Sequence, residues 1–196
     1  MAIFTACHDS QSIYRIMLMA MSHPGKRYAV ASTGNDSGGQ WLVLRMATCL
    51  MDHEMTFALS DGWDDALHKE LTQRTGAHPT NWEQADFVFI AGGTSAGRAA
   101  MAKRGSLAYP DEGATLLYCV PALTEAGAEE KTHQRTRLSG PGIEHPGPPG
   151  MAGLSIAEYD LLHAINANYP IGVDAFVVKD NQYIMALPRS TRIEVK

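Results

Sequence analysis

Two short, continuously apolar runs constrain the fold of this chain more than any other feature. Residues 87–91 read FVFIA and residues 115–120 read TLLYCV. Runs of this length without polar alternation are typical of strands buried on both faces, as in a sheet covered by helices on each side. The first run leads directly into Gly92 and Gly93, which predicts a turn at the end of that strand. We therefore expect an α/β protein.

Helical patterns alternate with these strands. A first helix is predicted from a cap at Asp9 or Ser10 to a stop at Pro24 and Gly25. Its apolar side chains recur at the spacing of one helix face: Ile13, Ile16, Met17, Ala20 and Met21. The other predicted helices cover residues 41–51, residues 63–75 and a segment that begins with the capping box SIAE at residues 155–158.

The C-terminal part of the chain predicts antiparallel strands. Residues 175–179 and 183–187 form a hairpin around Asp180 and Asn181, and a last strand covers residues 192–195. A hairpin of this kind argues against a purely parallel sheet. The 196 residues, 45% of them hydrophobic, fit one domain with a substantial core. The predicted fold is thus a single α/β domain over residues 1–196, a mixed sheet with flanking helices.

Net charge and cysteine spacing indicate which partners and which cellular compartment to expect for the chain. The formal net charge is −5, whereas nucleic acids and anionic membranes select basic surfaces, so we expect neither as a partner. Cys7, Cys49 and Cys119 lie far apart and lack the spacing of a zinc or redox motif, which favours reduced thiols. The sequence has no signal-peptide pattern and no apolar window of about 20 residues. These features predict a cytoplasmic protein.

A glycine-rich turn at residues 92–99 imitates a phosphate-binding loop. Its sequence, GGTSAGRA, follows a strand and resembles GxxxxGK[ST], in which backbone N–H groups at a helix start hold an anion. Arg98 stands where that loop has its phosphate-reaching lysine, and Ala99 replaces the hydroxyl that holds magnesium. A structural strand-to-helix turn is favoured over a nucleotide site, and both interpretations stay open at the level of sequence.

The segment PRSTR near the C-terminus is the strongest candidate for an anion site. Arg189, Ser190, Thr191 and Arg192 bring two guanidinium groups and two hydroxyls together. Arginine can hold a phosphate or phosphonate with two parallel hydrogen bonds, and hydroxyls can occupy the remaining lone pairs. Arg137, on a predicted exposed strand, could belong to the same basic surface. The alternatives are arginines that pair with carboxylates at a strand end, or a contact with a partner protein.

Patterns for independent catalysis are absent from the sequence. The eight histidines are scattered, with no HExxH or HxxxH pair that would indicate a metal site. No GxSxG elbow occurs, and none of the six lysines lies in a context that marks a Schiff-base lysine. Residues 140–150, which contain four prolines and four glycines, predict a loop or lid. We therefore expect no metal ion and favour a role in binding or assembly.

Five segments in order along the chain together resemble one protein family. They are DSQ, YR and AMSHPG within residues 9–25, EGATL at 112–116, LSGPGI at 138–143, YPIGVD at 169–174 and LPRSTRIEV at 187–195. The corresponding family patterns are FR…LL.AMs.PG, EGATL, RLTGPGI, FP.GVDL and PRTTRVEV. The chain thus resembles PhnH, a subunit of the bacterial carbon-phosphorus lyase system. Residues 62–103, including the glycine-rich turn, carry none of these patterns.

The resemblance implies a fold related to the large domain of pyridoxal-phosphate-dependent transferases, without the cofactor. It also implies a homodimer when alone, and an assembly with the G, I and J subunits. That assembly couples methylphosphonate to the ribose of ATP, with loss of adenine, to give a ribose 1-phosphonate 5-triphosphate. A radical iron-sulfur enzyme in the J subunit later breaks the C–P bond, and its cluster needs clustered cysteines that this chain lacks. No cofactor is expected here.

These observations predict an accessory subunit of the carbon-phosphorus lyase core complex, the α-D-ribose 1-methylphosphonate 5-triphosphate synthase of phosphonate catabolism. An anionic phosphonate or nucleotide is a candidate ligand, and the resemblance supplies no catalytic residue. The main alternative is a free-standing phosphate- or nucleotide-binding enzyme that uses residues 92–98. A second alternative, given the implied fold ancestry, is a pyridoxal-phosphate enzyme.

Overall fold

The computed structural model describes residues 2–31, 40–121, 135–151 and 153–196, with side chains from residue 10 onward. The strands within these ranges are β1 Tyr28–Ala29, β2 Thr56–Leu59, β3 His78–Pro79, β4 Phe87–Ala91, β5 Thr115–Val120, β6 Thr136–Ser139, β7 Asp174–Lys179, β8 Tyr183–Leu187 and β9 Arg192–Val195. Seven of them form one sheet in the order β1-β8-β7-β5-β4-β2-β3. All neighbours in it are parallel except β8, which runs antiparallel to both β1 and β7. The predicted mixed α/β fold is confirmed.

Helices cover both faces of this sheet. The α-helices within the described ranges are α1 Ala2–Ser22, α2 Trp41–Leu50, α3 Asp65–Thr75 and α4 Ile156–Ile165. Successive side chains of a strand point to opposite faces. Phe89 and Leu117 therefore join the apolar cluster of α1, α2 and α3, whereas Val88 and Leu116 join the cluster of α4. The two apolar runs are buried because each has a helix layer on both sides.

Most predicted elements occur near their predicted positions, and the largest error is at the N-terminus. Helix α1 begins at Ala2 rather than at a cap on Asp9 or Ser10, because residues 2–8 contain no proline or glycine that would stop it. Its predicted inner face is confirmed: Ile13 and Met17 are each 2% exposed. The polar, glycine-containing stretch at residues 32–40, where the sequence also predicts a loop, lies outside the described residues except for Gln40.

Strands β6 and β9 form a separate two-stranded sheet that packs on α4. Leu138 and Ile193 face the core from this sheet, at 2% and 3% exposed. The loop at residues 140–150 follows β6 and is fastened to the end of α1, since the Gly150 N–H donates to the Gly25 carbonyl at 2.5 Å. The Gly147 N–H also donates to the Leu138 carbonyl of β6 at 3.1 Å. These hydrogen bonds anchor the loop at two points, although most of its residues are exposed.

Candidate anion-binding cleft

The PRSTR segment connects β8 to β9 in a tight turn. The Thr191 N–H donates to the Pro188 carbonyl at 2.8 Å, which closes the turn. Thr191 is 5% exposed, and its hydroxyl is buried without a hydrogen-bond partner among the described residues. Arg192 begins β9 opposite Ser139 of β6. The turn therefore buries Thr191 and leaves Arg192 on the outer face of the small sheet.

Arg189 is engaged by protein groups rather than presented to solvent. Its Nη2 and Nε donate to Asp174 Oδ2 at 2.6 and 3.1 Å, while its backbone N–H donates to Asp174 Oδ1 at 2.8 Å. Its Nη1 donates to the Pro110 carbonyl. The side chain of Arg189 is 13% exposed and that of Asp174 is 22% exposed. Arg189 thus fastens the start of β7 to the turn that precedes β5, and Asp174 balances its charge.

A cleft of about 650 Å³ lies beside this segment, next to the start of β7. It is lined by Gly140, Pro141, His163, Asn166, Ala167, Tyr169, Arg189, Ser190, Thr191 and Arg192. No acidic residue is among these lining residues, although the whole chain has a formal net charge of −5. Within the described ranges, the cleft therefore has a local charge balance that favours anions.

The structure brings four of the five predicted anion-site residues together and leaves out the fifth. Arg137 lies on β6 opposite Glu194 and does not line the cleft. Conversely, His163, Asn166 and Tyr169 line it without having been predicted. They come from the end of α4 and the segment after it, so only the packing of α4 on β9 places them there. Tyr169 begins the YPIGVD segment that carries part of the family resemblance, whereas no local sequence signal marks His163 or Asn166 as part of a cleft.

The three additional lining residues with polar side chains, His163, Asn166 and Tyr169, differ in whether those side chains already have hydrogen-bond partners. Asn166 bonds Val173 in both directions, since its Nδ2 donates to the Val173 carbonyl at 3.1 Å and its Oδ1 accepts from the Val173 N–H at 2.8 Å. A side chain on Gly172 would not fit, because its Cβ would lie 2.3 Å from Asn166 Oδ1. His163 is exposed, and Tyr169 is 67% exposed. Asn166 is thus structural, and the other two are accessible.

A second cleft, of about 500 Å³, lies at the opposite end of the sheet. Strand β2 has β3 on one side and β4 on the other, so the direction of winding reverses there. Open α/β sheets commonly bind ligands at such a point, beyond the carboxyl ends of the strands. This crevice is lined by Gln40, Val43, Gly62, Trp63, Ala91, Gly92, Cys119, Val120, Pro121, Val178, Asp180 and Asn181. Among these described lining residues, none is basic.

The glycine-rich turn at residues 92–99 is occupied by a carboxyl group of the protein itself. Glu158 is 1% exposed, and its Oε2 accepts from the Ser95 N–H at 2.9 Å and from the Thr94 hydroxyl at 3.2 Å. Its Oε1 accepts from the Tyr118 hydroxyl at 2.6 Å. A Cβ on Gly93 would lie 1.8 Å from the Gly153 carbonyl oxygen. The turn is therefore docked against the start of α4.

This arrangement corrects the prediction of a complete capping box. The Ser155 hydroxyl accepts from the Glu158 N–H at 3.2 Å, as predicted. The Glu158 side chain, however, points into the core, and the Ser155 N–H donates to the Gly93 carbonyl at 2.9 Å. Burial, with the charge of Glu158 and the hydrogen bond to it, raises the pKa of Tyr118 well above its ordinary value. The hydroxyl of Tyr118 stays protonated and acts as a donor.

Arg98 is also engaged within the protein. Its Nη1 donates to Asp61 Oδ2 at 3.2 Å, and its guanidinium lies 4.6 Å from the ring centroid of Trp82. A basic residue that pairs with a carboxylate and stacks on an aromatic ring is not directed at a phosphate above the turn. The geometry therefore favours the structural interpretation of residues 92–98 over the nucleotide-binding alternative.

The two cysteines whose side chains are described, Cys49 and Cys119, have low nucleophilicity. Cys49 and Cys119 are free thiols, and burial raises the pKa of each above its ordinary value. A thiol with a raised pKa holds little thiolate near neutral pH, so it is a poor nucleophile.

Among the described residues, no three His, Cys, Asp or Glu side chains lie close enough to hold a metal ion. Nor does any described helix have the length and apolar content to cross a membrane.

Fold and cleft define a mixed α/β protein with a ligand-sized cavity whose described walls are neutral or basic. Comparison with known proteins adds the family: the model of the bacterial phosphonate metabolism protein PhnH matches residues 2–194. The chain therefore belongs to the PhnH family. Over 186 residues it is 30% identical to HtxG of Stutzerimonas stutzeri, which is named as a C-P lyase subunit protein. That similarity covers 95% of this chain and 86% of HtxG.

Proposed function

We propose that this chain is an accessory subunit of a carbon-phosphorus lyase core complex that works in phosphonate catabolism. The observation that carries the proposal is the family match over nearly the whole chain, residues 2–194. The similarity to HtxG supports it, because that protein is named as a C-P lyase subunit. In this proposal the chain contributes to the synthesis of α-D-ribose 1-methylphosphonate 5-triphosphate and leaves the radical cleavage step to another subunit.

The proposed partners are a second copy of this chain and the G, I and J subunits. Large apolar side chains that are exposed in the single chain support an assembly role, because such groups gain stability when a partner covers them. Leu107 and Tyr109 are 75% and 61% exposed in the segment before β5, and nearby Met101 is 46% exposed. We propose that the chain acts within this transferase assembly and has no independent active site.

The finer features implied by the family resemblance also belong to this proposal. We propose that the whole chain, residues 1–196, is one domain with a fold related to the pyridoxal-phosphate-dependent transferases but without the cofactor. The mixed sheet with helices on both faces supports this relationship. We also propose a cytoplasmic location, since free Cys49 and Cys119 suit a reducing compartment.

Size-exclusion chromatography of the purified chain with the G, I and J subunits tests the proposal. We expect co-elution in one peak that contains all four proteins, at a larger size than any component alone. The control is each protein run separately at the same concentration and salt. Separate elution of this chain from an assembled G, I and J complex would contradict the proposed role. Turnover of a phosphonate by the isolated chain would contradict the absence of an independent active site.

A further inference from the structure

Only part of the PRSTR segment is available to a ligand. Arg189 donates to Asp174 and to the Pro110 carbonyl, and the Thr191 hydroxyl is sealed from solvent. The side chains of Arg192, which is exposed, and Ser190, which is partly exposed, have no hydrogen bond or ion pair with any described residue. The cleft therefore offers one unengaged guanidinium and one unengaged hydroxyl from this segment.

We propose that the cleft binds a small organic phosphate or phosphonate, with its tetrahedral oxyanion at Arg192 and Ser190. The guanidinium of Arg192 can donate two parallel hydrogen bonds to such a group, and the Ser190 hydroxyl can donate a third. The exposed imidazole of His163, also in the lining, can hydrogen-bond the uncharged part of the ligand. Arg189 and Thr191 support the site by holding the turn and do not bind the ligand.

The electrostatics of the cleft favour one orientation of this ligand. The C-terminal end of a helix carries partial negative charge, and α4 ends at Ile165, close to the lining residues His163 and Asn166. An anionic group is therefore repelled from that end and attracted to Arg192. The uncharged part of the ligand then lies toward Tyr169, whose ring is 67% exposed.

The volume of the cleft indicates that the ligand is larger than an isolated phosphate ion. Small-molecule sites typically measure about 300–1,000 Å³, and this cleft measures about 650 Å³. Pro141, Ala167 and the ring of Tyr169 provide apolar surface for an organic body. A phosphorylated or phosphonylated sugar fits this combination of an anion site and a partly apolar wall better than inorganic phosphate does.

Two-dimensional NMR titration of the isolated chain tests the proposal with four probes: inorganic phosphate, methylphosphonate, ribose 5-phosphate and ribose. We expect saturable shifts for ribose 5-phosphate that are largest at residues 163–169 and 189–192, weaker binding of phosphate and methylphosphonate, and none of ribose. The two small anions distinguish a phosphate from a phosphonate preference. Absence of saturation with every anion, or shifts confined to the carboxyl-end crevice, would overturn the proposal.

A matched pair of arginine variants distinguishes specific binding at Arg192 from nonspecific attraction of an anion to exposed positive charge. Arg192→Gln removes the proposed ligand-binding charge, whereas Arg137→Gln removes an exposed charge from the neighbouring strand outside the cleft lining. Because charge-assisted hydrogen bonds contribute roughly 1.5–3 kcal/mol, we expect Arg192→Gln to weaken ribose 5-phosphate binding by about tenfold or more. Arg137→Gln should change it by less than about twofold, since exposed charges act weakly through water. Equal losses in both variants would overturn the proposal.

The choice of phosphonate among the probes rests on the proposed function, but the anion site itself rests on the cleft. The two can fail separately. If the chain co-elutes with its sister subunits and binds none of the anions, the anion site is wrong and the proposed function stands. If it binds ribose 5-phosphate through Arg192 but elutes apart from those subunits, the site stands and the proposed function is wrong.

Discussion

The two clefts lie at opposite ends of one sheet and differ in charge. The cleft at the amino end of β7 contains Arg189, Arg192 and His163 with no acidic lining residue, whereas the crevice at the carboxyl ends contains Asp180 and no basic one, as far as the described residues go. In open α/β sheets the carboxyl end is the usual ligand site. The difference teaches that the topology of the sheet does not determine where basic side chains gather, because among the lining residues they lie at the other end.

The same contrast holds for the groups that stabilise each end. At the amino ends, carboxylates at strand starts pair with cations: Asp174 at the start of β7 pairs with Arg189, which follows β8, and Asp86 just before β4 pairs with Lys103. At the carboxyl end of β4, the glycine-rich turn is held by Glu158 through hydrogen bonds from neutral donors. Among these described groups, the amino end thus relies on partly buried ion pairs, whereas the glycine-rich turn at the carboxyl end of β4 relies on one buried carboxyl group.

The largest expected effect concerns Glu158. Glu158→Leu leaves the Ser95 N–H and the Tyr118 hydroxyl buried without a partner, and breaking a buried network of this kind costs about 3–5 kcal/mol. We expect the free energy of unfolding to fall by that amount in urea denaturation. Glu158→Gln keeps a hydrogen-bond acceptor of similar shape, so its free energy of unfolding should fall clearly less than that of Glu158→Leu. If Leu and Gln were equally tolerated, the carboxyl end would not depend on this group.

The second prediction concerns the ion pair at the amino end of β7. Arg189→Ala leaves Asp174 and the Pro110 carbonyl without their donors, and both side chains of the pair are mostly buried. We expect a loss of about 2–3 kcal/mol in unfolding free energy, somewhat below the cost of breaking a fully buried pair. Arg189→Lys should recover part of it, because a lysine keeps the charge but not the forked geometry.

A comparison of Arg189→Ala with Arg192→Gln sharpens the distinction between support and binding. Arg192 is exposed and its side chain is unengaged among the described residues, so its replacement should leave the unfolding free energy almost unchanged. If Arg192→Gln destabilised the fold as much as Arg189→Ala, then both arginines would be structural. If Arg189→Ala were as stable as the original protein, then the pair with Asp174 would contribute little.

The sequence predicted the fold better than it predicted the site. Apolar runs and periodic patterns report burial directly, which is why β4, β5 and the inner face of α1 were identified. Asp180 and Asn181 also adopt the positive φ values, 56° and 53°, that favour their residue types in such turns. The engagement of a side chain depends on distant partners: nothing near Arg189 in sequence indicates that Asp174 and Pro110 bind it.

The third prediction concerns the pH dependence of the other amino-end pair. Burial raises the pKa of Asp86, but hydrogen bonds from Lys103 and Thr56 outweigh that effect, so its pKa is lowered overall. A lowered pKa in the folded state stabilises the protein above the ordinary value near 4, and the contribution is lost as the pH falls through the folded pKa. Asp86→Asn should therefore lower the free energy of unfolding at pH 7, because Lys103 loses its charged partner.

The measurement for Asp86 is urea denaturation of both proteins at several pH values from 7 down to 3. The difference in unfolding free energy between the original protein and Asp86→Asn should be constant near neutral pH and should shrink below about pH 4. A difference that stays constant down to pH 3 would mean that the loss comes from packing or from the Thr56 hydrogen bond rather than from the charge of the carboxylate.

The smallest expected effect is at the carboxyl end, for Arg98→Ala. Arg98 pairs with Asp61, which is fully exposed, and lies over Trp82, so the variant should lose only a little thermal stability. Isothermal titration with ATP and magnesium should give the same result for the original protein and for Arg98→Ala. The reason is that Glu158 already accepts a hydrogen bond from the Ser95 N–H that a phosphate would need. Micromolar ATP binding that Arg98→Ala abolishes would contradict this expectation. It would mean that the glycine-rich turn at the carboxyl end of the sheet is a nucleotide site. Unchanged behaviour would support the structural role of the glycine-rich turn, and the amino-end cleft would remain the proposed anion site.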